Sequence, residues 1–213
     1  MGKTFLILLF WFVAIGLSMA QTAETVLAEA AEAYEKANGI SIQFTANIQS
    51  EKQGVSESFE GTIQMKGEKF VLIIPDTRTW YDGTTQWTYR ANAGEVYLNT
   101  PSGDELQFVN PMTLLRTYKT GFNLLYLGES TSGSGKPAYD IRLVSKTGND
   151  VEKIEIQIEK ATSLPSRTTV FMKNGMQNLI RISKMQTGIN QPDSFFVFNP
   201  ADYPDAFEVD LRP

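Results

Sequence analysis

The sequence predicts a mainly β (α+β) fold, a single curved antiparallel sheet of about ten strands with two helices left to cover one side. Three observations carry that expectation. The apolar period switches from 3.6 to 2 at Ile40, short strand-like runs then recur with turn signals between them, and only two segments read as helix.

Residues 22–37 are dense in Ala and Glu, strong helix formers, and Asn38-Gly39 follows as a stop suited to a left-handed cap. Val26, Ala30, Tyr34 and Ala37 share one face, a slim Ala-rich stripe that needs a larger element beneath it. From Ile40, the residues Ile40, Ile42, Phe44, Ala46 and Ile48 alternate with polar ones, the pattern of a strand with one buried and one wet face. Further strands are expected over residues 56–66, 69–74, 78–81, 86–90 and 95–99, joined as a meander of hairpins in which Asp82-Gly83 supplies one turn. Asn110-Pro111 signals a second helix that carries Met112, Leu114, Leu115 and Tyr118 and stops at Gly121. Residues 128–136, rich in Ser and Gly, read as a flexible loop and the best place for a boundary, through which one domain nevertheless continues. Five more strands are expected over residues 137–145, 151–159, 166–172, 177–187 and 194–198; in the second, Ile154, Ile156 and Ile158 face one way. A sheet of this size curls or closes, because twist accumulates and open edges invite aggregation.

The first twenty residues are set apart from the fold. Lys3, the apolar run 5–17 and Ser18-Met19-Ala20 form the pattern of a signal peptide cleaved after Ala20. The run is shorter than the roughly 20 residues needed to span a bilayer. Residues 21–213 are then one domain, expected in the periplasm with a net charge of −6, one below the −5 of the full chain because Lys3 is lost.

Composition removes whole classes of chemistry. The chain holds no Cys and no His, so disulfides, thiolate zinc sites, Cys nucleophiles and Ser-His units are unavailable. A pI near 4.9 argues against nucleic acid as a partner. Ser134-Gly135-Lys136 resembles the end of a phosphate-binding loop, but Ser130 stands where the first glycine belongs and Pro137 where Ser or Thr would hold magnesium. Asp202, Asp205, Glu208 and Asp210 read as a solvated acidic tail rather than a hydrolytic pair. No enzyme, catalytic residue, metal or cofactor is expected.

The run from Phe59 through Gly61 to Lys66, then Lys69-Phe70, then Trp80-Tyr81-Asp82-Gly83 leading to Trp87-Thr88-Tyr89, resembles the periplasmic outer-membrane lipoprotein carrier family, LolA. The helix leading into Ser41-Ile42-Gln43-Phe44-Thr45, the segment Phe196-Val197-Phe198-Asn199-Pro200 and the later Val209-Asp210 look like the family's two ends. The resemblance implies an unclosed half-barrel with helices as a lid over an apolar cavity. It implies a monomeric carrier that takes the acyl chains of lipoproteins or related lipids from an inner-membrane releasing transporter and delivers them to an outer-membrane acceptor. The inward positions expected to line that cavity are Phe44, Ile63, Met65, Leu72, Trp80, Trp87, Met112, Leu115, Phe122, Ile156 and Met172. The alternative is an envelope interaction or stress-sensing module that uses the same fold with a filled interior. One departure stands out: the family's turn after the second strand carries an arginine that helps latch the lid, and Gly67 occupies that place here. Either Lys66 or Arg78 supplies a substitute, or the cavity is not gated that way and the protein belongs to a related lipid-binding branch.

Overall fold

The structure, a computed structural model, describes residues 22–102, 106, 114, 118–146, 148 and 150–212. Helix α1, Ala23–Lys36, begins at the Thr22 cap, whose side chain accepts from the Thr25 amide, and ends where Asn38 and Gly39 take positive φ. It buries Ala23, Val26, Leu27, Ala30 and Tyr34. Of the second predicted helix, Leu114 and residues 118–121 are described; they are helical, and Leu114 and Tyr118 are buried in the same core. Among the described residues no helix is long and apolar enough to cross a membrane.

One sheet holds β1 Ile40–Ser50, β2 Val55–Lys66, β3 Lys69–Ile74, β4 Thr77–Tyr81, β5 Gln86–Arg90, β6 Glu95–Asn99, β7 Phe122–Thr131, β8 Pro137–Ser145, β9 Val151–Glu159, β10 Pro165–Met172, β11 Gln177–Thr187 and β12 Phe207–Asp210. The spatial order is β12-β6-β5-β4-β3-β2-β1-β11-β10-β9-β8-β7, two meanders joined by the antiparallel pair β1 and β11. Register shifts between Gln43 and Phe44 on β1, and between Pro165 and Arg167 on β10, add bends to a sheet that already twists. The result is a curved, unclosed sheet whose two ends, β12 and β7, do not meet.

Four expectations are corrected. Twelve strands replace about ten: β7 takes in the first part of the predicted loop, Gly128 to Thr131, and β12 lies within the predicted acidic tail. Residues 194–198 are not a strand: the first three lie in the 3-10 turn Asp193–Phe196, and Val197 and Phe198 follow it without pairing to the sheet. Their aromatic side chains are satisfied by packing onto the sheet rather than by pairing with an edge.

The β7–β8 turn is locked by charge. Ser134 Oγ, Ser132 Oγ and Lys136 Nζ lie 2.9, 3.2 and 3.0 Å from the Glu159 carboxylate on β9, which explains the Ser-Gly-Lys run without a phosphate. Burial by itself would raise the Glu159 pKa, but the bonds from Lys136 and the two serines outweigh it and hold the carboxyl below its ordinary value of 4.5. A depressed folded pKa means stability that is complete above the unfolded value and lost as pH falls through the folded one. Glu159→Gln should therefore flatten the acid limb of the stability curve below about pH 4.5 while lowering stability at pH 7, as read by urea midpoints across pH. An unchanged acid limb would refute the assignment.

Candidate functional site

The sheet buries residues on both faces, and the two faces differ. One carries α1 over a core that includes Ile42, Ile63, Phe70, Tyr81, Ile154 and Ile158. The other carries the chain's C-terminal segment, with Phe196 and Phe198 packed over Val71, Trp80, Val96 and Leu98.

An apolar cavity of about 270 Å³ opens on the first face, between Ala30, Tyr34 and Leu114 on the helical side and strands β1, β2, β3, β9, β10 and β11 on the other. The period-2 pleat builds its wall, since every second residue of a strand reaches the same side. Along β1 these are Ile42, Phe44, Ala46 and Ile48; β9 gives Ile154, Ile156 and Ile158, and β11 gives Asn178, Ile180 and Ile182. Among the described residues no charged group lines the cavity, and its polar members are Tyr34, Thr168 and Asn178. Nine of the lining side chains are isoleucines and none is methionine. β-branching makes those walls stiff, so a change in cavity size must come from moving elements more than from turning side chains.

Gly61 is fitted to this wall. It stands opposite Phe44 in the β1–β2 register, and a Cβ there would run into Phe44 Cζ. The glycine lets the Phe44 ring lie across the strand beside it. Burial pushes the Tyr34 phenol well above its ordinary pKa, so it stays a neutral donor.

Of the residues expected at the cavity, Phe44, Ile63, Leu72 and Ile156 line it. Met65 and Phe122 are buried in the surrounding core, and Met172 packs against it. Trp80 and Trp87 belong to the opposite face, where Trp80 meets Phe198 edge-on at 5.3 Å and Tyr203 at 5.6 Å. The register pairs Leu72 with Thr79 and Val71 with Trp80, so Leu72 and Trp80 point to opposite sides. Met112 and Leu115 lie outside the described residues. The helical stripe of the sequence contains Tyr34 and Ala30, and the Ile154-Ile156-Ile158 alternation contains two further wall residues. Asn178, a polar residue in an ordinary strand, gives no such signal.

The cations near the turn that lacks the family arginine work elsewhere. Lys66 Nζ donates to the Gln191 carbonyl at 3.0 Å, and the Lys69 ammonium sits 2.8 Å from Asp193, holding that carboxyl below its ordinary range by hydrogen bond and charge. Both tie down the C-terminal segment. The Arg78 guanidinium lies 5.0 Å from the Trp80 ring, and none of the three lines the cavity.

Comparison with known proteins agrees with this architecture. No curated protein matches the chain significantly. Among solved structures the chain is similar to an uncharacterized conserved protein from Thermus thermophilus, at 14% identity and a TM-score of 0.58 over 89% of this chain and 99% of that one. It is also similar to a LolA superfamily protein from Nitrosomonas europaea, at 12% identity, TM-score 0.46, covering 84% of this chain and 99% of that one. A complex of Pseudomonas aeruginosa MucA and MucB gives 16% identity and a TM-score of 0.43 over 83% of this chain and 61% of that one. Residues 17–176 match the family described as outer membrane lipoprotein carrier protein LolA, and the chain belongs to that family.

Proposed function

We propose that this protein is a periplasmic carrier that holds acyl chains of lipoproteins or related lipids in the cavity under α1 and passes them from an inner-membrane releasing transporter to an outer-membrane acceptor. The observation that supports this most directly is the open volume itself: about 270 Å³ with an uncharged, isoleucine-rich lining. Among the described residues the lining carries no charged group, which suits reversible burial of an apolar chain. Each methylene sheltered from water contributes roughly 0.8 kcal/mol, enough for a chain to enter unaided.

The volume lies just under the roughly 300–1,000 Å³ usual for ligand pockets. It therefore takes part of a chain as it stands and more if α1 lifts. Helix α1 suits the role of lid, because alanines at positions 23 and 30 give less contact area than leucines would. Partial shelter also favours release, since affinity near the full transfer energy would trap the cargo. The carrier acts as a monomer after loss of residues 1–20 as a signal peptide. An interaction module with a filled interior is disfavoured by the same open volume.

The test is native mass spectrometry, with organic extraction, of the mature protein purified from a bacterial periplasm. Bound acylated lipid or lipoprotein is expected. A clean apo mass that also refuses added lipid would overturn the carrier reading in favour of the interaction module.

A further inference from the structure

The face of the sheet opposite the cavity carries an opening of its own, a crevice of about 750 Å³ between β4 and the C-terminal segment. That volume lies inside the roughly 300–1,000 Å³ usual for ligand pockets. Arg78 and Trp80 line it from β4, two residues apart and therefore on one side of the strand, where the register sets them beside Ile73 and Val71. The C-terminal segment supplies the other wall, and its position is fixed. Asp193 is tied to Lys66 and Lys69, while Phe198 and Tyr203 meet the Trp80 ring edge-on.

In this setting Arg78 is a cation without a counter-ion. Its Nε is buried and has no hydrogen-bond partner, and no ion pair involves it among the described residues. The contact it does make is with the Trp80 ring, whose centre lies 5.0 Å from the guanidinium carbon. Asp202 lines the same crevice yet forms no ion pair with it. A guanidinium resting on a ring keeps N–H donors to spare in a planar fork that matches a carboxylate. Beside it, Val197 is 39% exposed and Phe195 and Tyr203 are half-buried. Water wetting the crevice would neither balance the charge nor cover these apolar side chains. A phosphate monoester is a poorer match than a carboxylate, because among the described residues no second cation lines the crevice and Asp202 would repel its second charge.

We propose that this crevice binds a monocarboxylate carried on an aromatic or branched apolar body, the Arg78 guanidinium holding both carboxylate oxygens and Phe195, Val197 and Tyr203 covering the body. A free aromatic acid and the C-terminus of a chain that ends in an apolar residue present this same chemistry. The site lies across the sheet from the apolar cavity and stands whether or not the protein carries lipid.

The experiment is isothermal titration of the full chain with N-acetyltryptophan and N-acetyltryptophanamide, which share a body and differ in charge. The acid should bind about tenfold more tightly, the worth of a hydrogen bond to a charged partner. Arg78→Met leaves an apolar stem over Trp80 and should bring acid and amide to parity; Arg78→Lys keeps the charge without the fork and should retain only part of the preference. Val197→Glu, at an exposed position, places a carboxylate in the crevice and should block the acid with the thermal midpoint unchanged. Excess inorganic phosphate should not displace the acid. The peptide Gly-Gly-Trp with a free C-terminus separates the two sources: tighter binding than N-acetyltryptophan assigns a chain end, equal or weaker binding a free acid, and both uphold the site. Equal binding of acid and amide by the unaltered protein, or binding of neither, would overturn the proposal. An acid preference that survives in Arg78→Met would do the same, as would one that survives in Val197→Glu should Arg78→Met fail to fold. Displacement by phosphate would overturn the monocarboxylate class.

Discussion

Gly61→Ala is expected to cut lipid uptake about tenfold while the protein remains folded. The added Cβ would sit 2.9 Å from both Phe44 Cε1 and Ile74 Cγ2 and closer still to Phe44 Cζ, separations that real contacts do not sustain. Backbone cannot yield easily there, because Gly61 is paired with Phe44 on β1 and the β2–β3 pairing begins at the next residue, Thr62. The Phe44 ring must therefore swing, and the side chain already borders the cavity. A ring that displaces about two methylenes of cargo, at roughly 0.8 kcal/mol each, lowers affinity about tenfold. Overpacking of this kind costs about 1–3 kcal/mol of stability as well. The double variant Gly61→Ala with Phe44→Leu separates the two effects, because relief of the clash should restore uptake and give a large coupling energy in the cycle. Undiminished uptake by Gly61→Ala alone would mean that cargo does not use this cavity.

That glycine illustrates how the sequence speaks through patterns that repeat along one element and falls silent on pairings between distant ones. Alternation along residues 40–48 and 151–159 marks strands and wall positions, since the pleat is a local property. Helix α1 is equally plain from its stripe and its Asn38-Gly39 stop. β7 is hidden because Leu124, Leu125, Tyr126 and Leu127 blur the alternation and the following Gly and Ser residues resemble a linker; only its pairing with β8 makes it a strand. β12 is four residues long and pairs in parallel with β6, a partner more than a hundred residues away. The two tryptophans fail as cavity residues for a related reason. Trp80 and Tyr81 are adjacent, so one must face each side, and which does so depends on the β3–β4 register. Methionine would suit an adaptable lining, yet nine of the lining residues are isoleucines, whose branching holds them stiff.

The segment on the opposite face should be dispensable for cargo and indispensable for the fold. Phe196 is 0% exposed and packs with Phe198 against Val71, Trp80, Val96 and Leu98, while the Tyr203 ring lies tilted against Tyr89 at 4.6 Å. Lys66 and Lys69 pin the start of the segment through Gln191 and Asp193, and β12 ends it by pairing with β6. Removal of a fully buried phenylalanine costs about 3–5 kcal/mol. At roughly 2–4 °C per kcal/mol for a chain of this size, Phe196→Ala should lower the thermal midpoint by about 10 °C. Val197, 39% exposed in the same segment, should tolerate alanine with little change. The contrast with Gly61→Ala is the informative part. Val71 and Trp80 alternate along their strands with Phe70, Leu72 and Tyr81, so the sheet separates the aromatic cluster from the cavity side by one backbone thickness. Below its lowered midpoint Phe196→Ala should bind lipid as the unaltered protein does, because no side chain of the cluster borders the cavity. If lipid affinity instead falls together with the midpoint, the two faces are coupled through β3 and β4, and the aromatic cluster is part of how the cavity opens.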